Sequence, residues 1–144
     1  MIAVDTNLLI YAHRPDSPWH AAAYRAVAKL AEAPGPWALP WPCLYEFFAI
    51  ATHPRIFVPP SSVGEALEAM DGWLRSPSLT LLSESDSYWV ALAELVRTAR
   101  IRGPQIHDAR IAALCLFHGV TELWSADRDF SRFPALKVVN PLVQ

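Results

Sequence analysis

Basic character is scarce in this chain. Its 12 lysines and arginines are outnumbered by 14 aspartates and glutamates, for a formal net charge of −2, and only Lys29 and Lys137 are lysines. A protein that coats nucleic acid through bulk positive charge is therefore excluded. Any contact with a polyanion has to rest on a local patch, and an arginine-dominated patch favours bidentate contacts to carboxylate or phosphate. Cysteine is scarce too. Cys43 and Cys115 both fall in apolar helical patterns, which reads as buried small hydrophobes in a reducing compartment, not as a disulfide or a catalytic thiol. No apolar run reaches the roughly 20 residues of a membrane span, and no basic-then-apolar leader opens the chain. A soluble cytoplasmic protein with no membrane partner is expected. Internal repeats and low-complexity segments are missing as well.

What is present is apolar. With 144 residues and 53% hydrophobic content, residues 1–144 are expected to form one domain with a real core and enough exposed apolar area for a subunit interface. Short strand-like segments occur at Ile2–Val4, Trp37–Leu39, Leu79–Leu82, Glu122–Trp124 and Lys137–Val139. Helical patterns lie between them. Ser17-Pro18 reads as an N-cap followed by proline at the first helical position, opening a helix that runs to Ala33. Pro42 opens a second, to about Thr52. Ser62 to Glu65 has capping-box spacing and opens a third, to about Leu74. Ser85 or Ser87 caps a fourth, which ends near Arg102-Gly103-Pro104, and a fifth spans about His107 to His118, with Gly119 at its C-terminal cap. Strands alternating with helices predict an α/β fold with a mostly parallel sheet of about five strands, covered on both faces.

Four carboxylates stand out by position. Asp5 ends the first strand, in Val4-Asp5-Thr6-Asn7. Asp127 follows another apolar strand, in Ser125-Ala126-Asp127-Arg128-Asp129-Phe130. Glu46 lies on a helix where Cys43, Pro42, Ala49 and Ile50 are its neighbours at three and four positions. Asp108 falls in the first turn of the fifth helix. In a parallel sheet the two strand-end acids share one edge, where ligands bind. Each acid also has a plainer role: Asp5 and Asp127 can cap helices, Asp108 can complement a helix dipole, and Glu46 can be solvated. Together, acids drawn from four separated segments to one edge repel one another and raise each other's pKa. A divalent cation removes that penalty. Oxygen-only ligands suit Mg²⁺ or Mn²⁺, and one or two such ions can activate water against a phosphodiester. Thr6, Asn7 and Ser125 are small polar residues placed to orient ligands, or simply to cap and turn.

These residues, in this order, resemble the PIN-domain ribonucleases and, within them, the VapC toxins of type II toxin–antitoxin systems. The resemblance covers nearly the whole length. It implies a three-layer α/β/α fold and Mg²⁺- or Mn²⁺-dependent RNA cleavage. By position, Asp5, Glu46, Asp108 and Asp127 match the family's acidic residues and Ser125 its small hydroxyl, with Asp129 peripheral. A homodimer and a cognate antitoxin are implied with it. Among the arginines, Arg97, Arg100, Arg102 and Arg110 surround Asp108, and Arg128 and Arg132 follow Asp127. These can contact RNA phosphates or form a solvated face.

Other residues and readings carry less. His107 adjoins Asp108, but water activated by a metal needs no histidine base. Of the six tryptophans, most sit in apolar patterns that suit core or interface burial, with Trp41 and Tyr45 the exceptions near Glu46. The Pro54 to Pro60 stretch reads equally as a mobile cleft rim or a rigid connection. An aspartate-nucleophile phosphatase would have a second aspartate where Asn7 stands. A receiver-like phosphorylation module would have an aspartate after the third strand, where Ser83-Glu84 stands. A catalytically silent PIN-like protein that binds RNA or a partner remains an alternative, although a pure binder gains nothing from clustering anions against a phosphate backbone.

Overall fold

Period-two alternation divides each strand's side chains between two apolar layers. In β1 (Ile2–Val4) and β2 (Trp37–Pro40), Ala3 and Ala38 face one layer, while Val4, Trp37 and Leu39 face the other. The computed structural model describes residues 1–143. Its β3 (Leu79–Leu82), β4 (Glu122–Trp124) and β5 (Val138–Val139) complete a five-stranded sheet in the order β3-β2-β1-β4-β5. Every neighbouring pair is parallel.

Helices α1 (Thr6–His13), α2 (His20–Glu32), α3 (Trp41–Ala51) and α4 (Val63–Leu74) supply Leu8, Val27, Phe47 and Ala66 to the layer that holds Trp37 and Leu39. Helices α5 (Tyr88–Thr98) and α6 (Ile106–Phe117) supply Leu92 and Leu114 to the layer that holds Ala3 and Ala38. The fold is therefore the expected α/β/α sandwich. A strand buried on both faces must be apolar throughout, and Trp37–Leu39 is fully buried. Among the described residues, no helix is long and apolar enough to cross a membrane.

Strand order decides where a site can form. The chain walks outward from β1 to β3, then returns to place β4 on the other side of β1. That reversal opens a crevice beyond the C-terminal ends of β1 and β4, the place where ligands bind in open parallel sheets. The Asp5 backbone N–H donates to the Trp124 carbonyl at 2.9 Å, and so closes the first turn of backbone across that crevice.

Helix ends follow local chemistry, with three departures from expectation. The capping box at Ser62 and Glu65 forms reciprocally, and Gly119 adopts φ +69° at the end of α6, with the Val120 N–H returning to the Cys115 carbonyl. Helix α2 begins at His20, not at Ser17. The Ser17 hydroxyl accepts from the Trp19 N–H and the Ser17 carbonyl from His20 N–H, so this serine caps a preceding turn. Helix α5 ends at Thr98, before the expected Arg102-Gly103-Pro104. Its reversal uses Arg100 at φ 56°, a conformation normally given to glycine, with Ile101 N–H bonded to the Val96 carbonyl. At the other end of α5, neither Ser85 nor Ser87 makes a side-chain cap: their hydroxyls face each other at 3.2 Å.

The Pro54 to Pro60 stretch is tied down. Arg14 donates to the Pro59 carbonyl at 3.0 Å and lies 4.2 Å over the Phe57 ring. His13 Nε2 and the Ser61 hydroxyl are 2.8 Å apart. The tryptophans divide: Trp37 is wholly buried, whereas Trp19 and Trp89 stand out at 46% and 65% exposure and belong to no core. Neither sits in a run whose pattern has to face the sheet, which is why an apolar neighbourhood in sequence misplaces them.

Candidate metal centre

Asp5 stands at the C-terminal tip of β1 and at the N-cap of α1, 4% exposed. A carboxylate so deeply buried has to be satisfied by the protein, and this one is, fully. Oδ1 accepts from the Thr6 N–H at 2.8 Å and from the Cys43 thiol at 3.6 Å. Oδ2 accepts from the Ser125 hydroxyl at 2.7 Å and from Asn7 Nδ2 at 3.2 Å. Four donors match the roughly four lone-pair positions of a carboxylate. Even so, burial is the largest influence on it. The carboxyl is pushed up from 3.8 to about 6, the donors pull it back and the Glu46 charge adds a smaller push upward.

Asn7 and Ser125 are equally committed. Besides holding Asp5, Asn7 Nδ2 donates to Ser125 Oγ at 3.1 Å and Asn7 Oδ1 accepts from Ala126 N–H at 3.1 Å. Ser125 Oγ also accepts from Asp127 N–H at 3.0 Å. Together they lace the end of β1 to the turn after β4, with Asn7 two residues after one strand-end acid and Ser125 two residues before the other. The Thr6 hydroxyl donates to Glu46 Oε2 at 3.0 Å, so it orients the helix-borne acid toward the same edge.

Three other acids converge beside them. Carboxylate oxygens of Asp108, Asp127 and Asp129 all lie within 4.8 Å of one another, the one such group among the described residues. Asp108 comes from the first turn of α6. Asp127 caps the short 3₁₀ turn at Arg128–Arg132 by accepting from Asp129 N–H at 2.8 Å, and that turn swings both aspartates toward one place. Burial raises the Asp108 carboxyl above its ordinary value. The charges of Asp127, Asp129 and Glu46 raise it further, and Arg132 opposes them. Asp129, peripheral by sequence, is thus inside the cluster. A capping aspartate, Asp127, with a second acid two residues on is the signal that marks it.

Cys43 has no precedent in the sequence reading beyond a buried hydrophobe. It is fully buried, and its thiol is held well above the ordinary range by burial first and by the Asp5 charge second. It therefore stays protonated as a donor to Asp5. Only its position three residues before Glu46 on one helix hinted at this.

The arginines are less concentrated. Arg110 is paired with Glu84, so its charge is already engaged. Arg97, Arg100, Arg102 and Arg128 are exposed and make no ion pair among the described residues. His107 is exposed and outside the acidic group. Trp41 and Tyr45 stack with ring centroids 6.0 Å apart, Tyr45 largely exposed.

The donor set is oxygen-only and anionic, with mutual repulsion visible at Asp108. Hard divalent cations such as Mg²⁺ or Mn²⁺ fit such a set, whereas zinc would call for imidazole or thiolate.

The PIN domain family matches this chain over residues 2–136. Ribonuclease VapC43 of Mycobacterium tuberculosis is 37% identical over 142 residues, covering 99% of this chain and 96% of that protein. Ribonuclease VapC31 of the same organism is 30% identical, covering 98% and 99%. The fold is similar to that of VapBC2 from Rickettsia felis bound to a DNA fragment from its promoter, with TM-score 0.71 at 20% identity over 97% of this chain and 98% of that one. With the acids at the switch point of the sheet and full-length likeness to those proteins, this chain belongs to the PIN domain family and, within it, to the VapC group.

Proposed function

We propose that this chain is a divalent-cation-dependent endoribonuclease and the toxin of a toxin–antitoxin pair. The observation that carries the proposal is the convergence of Asp108, Asp127 and Asp129 within 4.8 Å, at the sheet edge that also holds Asp5. Likeness over 99% of the chain to proteins named VapC ribonucleases supports it.

In this reading Asp108, Asp127 and Asp129 hold Mg²⁺ or Mn²⁺, one ion or two, with Asp5 and Glu46 completing the anionic site. A cation there would supply Lewis-acid activation of water and neutralisation of charge on a phosphodiester. The protein's own part is preorganisation. Thr6, Asn7, Cys43 and Ser125 lock the Asp5 carboxylate, and Thr6 aims Glu46. The unpaired Arg97, Arg100, Arg102 and Arg128 supply phosphate contacts around an otherwise anionic pocket. Arg110 serves there only by releasing Glu84. Residues 1–144 act as one domain in the cytoplasm, as a homodimer, held silent by a cognate antitoxin. Exposed apolar side chains such as Val90 on α5 offer area for such contacts.

The test is cleavage of total cellular RNA by purified protein, wild type beside Asp5→Asn, with Mg²⁺, Mn²⁺ or EDTA. Cutting that needs the metal and disappears in Asp5→Asn is expected. Equal cutting by both proteins, or cutting that persists in EDTA, would overturn the reading.

A further inference from the structure

Next to the acidic cluster the surface is hollowed, and neither the acids nor their supports account for it. One hollow of about 630 Å³ starts at Asp127 and is walled by Phe133 and Leu136. A second, of about 230 Å³, is walled by Tyr11 and Trp19. Both are lined by Ala126, Arg128, Asn140 and Val143, so the two hollows adjoin across these residues, the first reaching the acids and the second the exposed indole of Trp19; the pair is termed the groove. The larger hollow is within the range of about 300–1,000 Å³ usual for small-ligand pockets.

The groups along this groove differ in chemistry from one end to the other. Arg128 adjoins Asp127 in sequence, and its guanidinium makes no hydrogen bond or ion pair among the described residues. Asn140 uses its Oδ1 to accept from Leu142 N–H, and its Nδ2 donates to no protein group among the described residues. Trp19 offers a flat aromatic face at 46% exposure, held there by the turn that its N–H makes to Ser17. An unpaired cation beside the anionic site, a free amide donor and an apolar wall ending in an indole match phosphate, base edge and base face respectively.

We infer that this groove carries the single-stranded RNA segment flanking the scissile phosphate, with Arg128 on a backbone phosphate, Asn140 on a base edge and Trp19 as a stacking platform. The inference rests on the ribonuclease reading and adds to it the path of the substrate. A polypeptide does not need the cation placed one residue from the acids. A single strand leaving a phosphate held at those acids does, because the acids would otherwise repel its next phosphate.

The experiment uses the full chain carrying Asp5→Asn, so that RNA is bound and not cut. The probe is a short, fluorescein-labelled, random-sequence single-stranded RNA, followed by anisotropy over a range of salt. Adding Trp19→Ala is expected to weaken binding about tenfold, as loss of one base-stacking contact does. Adding Arg128→Ala is expected to weaken it and to reduce the slope of log affinity against log salt by about 0.7. Asn140→Ser, which removes the amide donor without adding charge and keeps a side-chain oxygen for the Leu142 N–H, serves as a second groove variant should Trp19→Ala fold poorly, and is expected to weaken binding too. Affinity unchanged in both Trp19→Ala and Asn140→Ser overturns the inference and leaves the groove to a protein segment. Loss confined to Arg128→Ala also overturns it, because general charge attraction would then suffice. Hydrolysis of bis(p-nitrophenyl) phosphate by the wild-type protein with Mn²⁺ separates the two readings. If that hydrolysis occurs but no RNA binds, the groove assignment fails while the nuclease stands. If both are missing, both fail.

Discussion

Asp5 should make the metal-free protein less stable as pH rises, opposite to what most carboxylates do. Its folded-state pKa is raised from 3.8 to about 6, chiefly by burial. Well below pH 3.8 the group is protonated in both states, and the folded protein bears no cost from it. Between about pH 4 and 6 the unfolded chain releases its proton first, so rising pH favours unfolding. Above about pH 6 both states are ionised, and the whole cost of about 3 kcal/mol is felt. For a chain of this size that corresponds to about 6–12 °C in melting temperature. The measurement is urea or thermal denaturation in EDTA from about pH 4 to 7.5, wild type against Asp5→Asn. Carboxyls held below their ordinary range, such as Glu122, which accepts from the Trp124 indole and pairs with Lys137, act in the opposite sense. They do so in both proteins and cancel in the difference. Asparagine adds a fixed penalty, because Thr6 N–H and Asn7 Nδ2 each point at one carboxylate oxygen and one of them must meet the new amide nitrogen. That penalty, about 1–3 kcal/mol, does not vary with pH. The expected result is a difference that shifts by about 2.4 kcal/mol in favour of Asp5→Asn from about pH 4 to 7.5, the remainder of the cost being present already at about pH 4. A difference that stays flat across this range would refute the burial argument.

Other outcomes follow from the same geometry. Saturating Mn²⁺ should raise the melting temperature, since a ligand at about 100 times its Kd adds about 2.7 kcal/mol. Asp129→Asn should lose a large part of that gain in calorimetry, and a full gain would remove Asp129 from the centre. Cys43→Ala should move the Asp5-linked pH transition upward, because a donor to its carboxylate is gone, whereas Cys43→Ser keeps a donor and should not; identical transitions would show that the thiol contact has no effect. Gly119→Ala, at φ +69°, should cost about 1–2 kcal/mol in urea denaturation, and a neutral effect would contradict the cap assignment. Replacing Arg100 and Arg102 together by alanine should flatten the salt dependence of RNA binding, and an unchanged slope would exclude them from phosphate contact.

Much of this was written locally along the chain. Short apolar runs bounded by turn residues marked the strands, most plainly β1 and β2, since a strand buried on both faces has no choice of residue type. Ser62 with Glu65, and Gly119, marked helix ends because capping is chemistry within a few residues. Local reading failed where a residue had two short-range uses. Ser17 capped a turn before α2, and α5 ended at Arg100 in the left-handed region, ahead of Gly103, which also lies there.

The acids show the same division. That Asp5, Glu46, Asp108 and Asp127 are out of place in their surroundings is visible in sequence, because a charge at the end of an apolar strand or on an apolar helix face needs a partner. Which acids meet is a matter of strand order. Only after the chain returns to set β4 against β1 do residues some 120 positions apart share a hydrogen bond, as Ser125 and Asp5 do. Asp129 joins the cluster because the 3₁₀ turn after Asp127 brings its exposed carboxylate beside those of Asp108 and Asp127. Cys43 becomes a donor because α3 lays it against Asp5. Residue type and spacing carried the kind of fold and the anionic character of the site. Distance, burial and the saturation of each donor belong to packing, where contacts between distant segments are made.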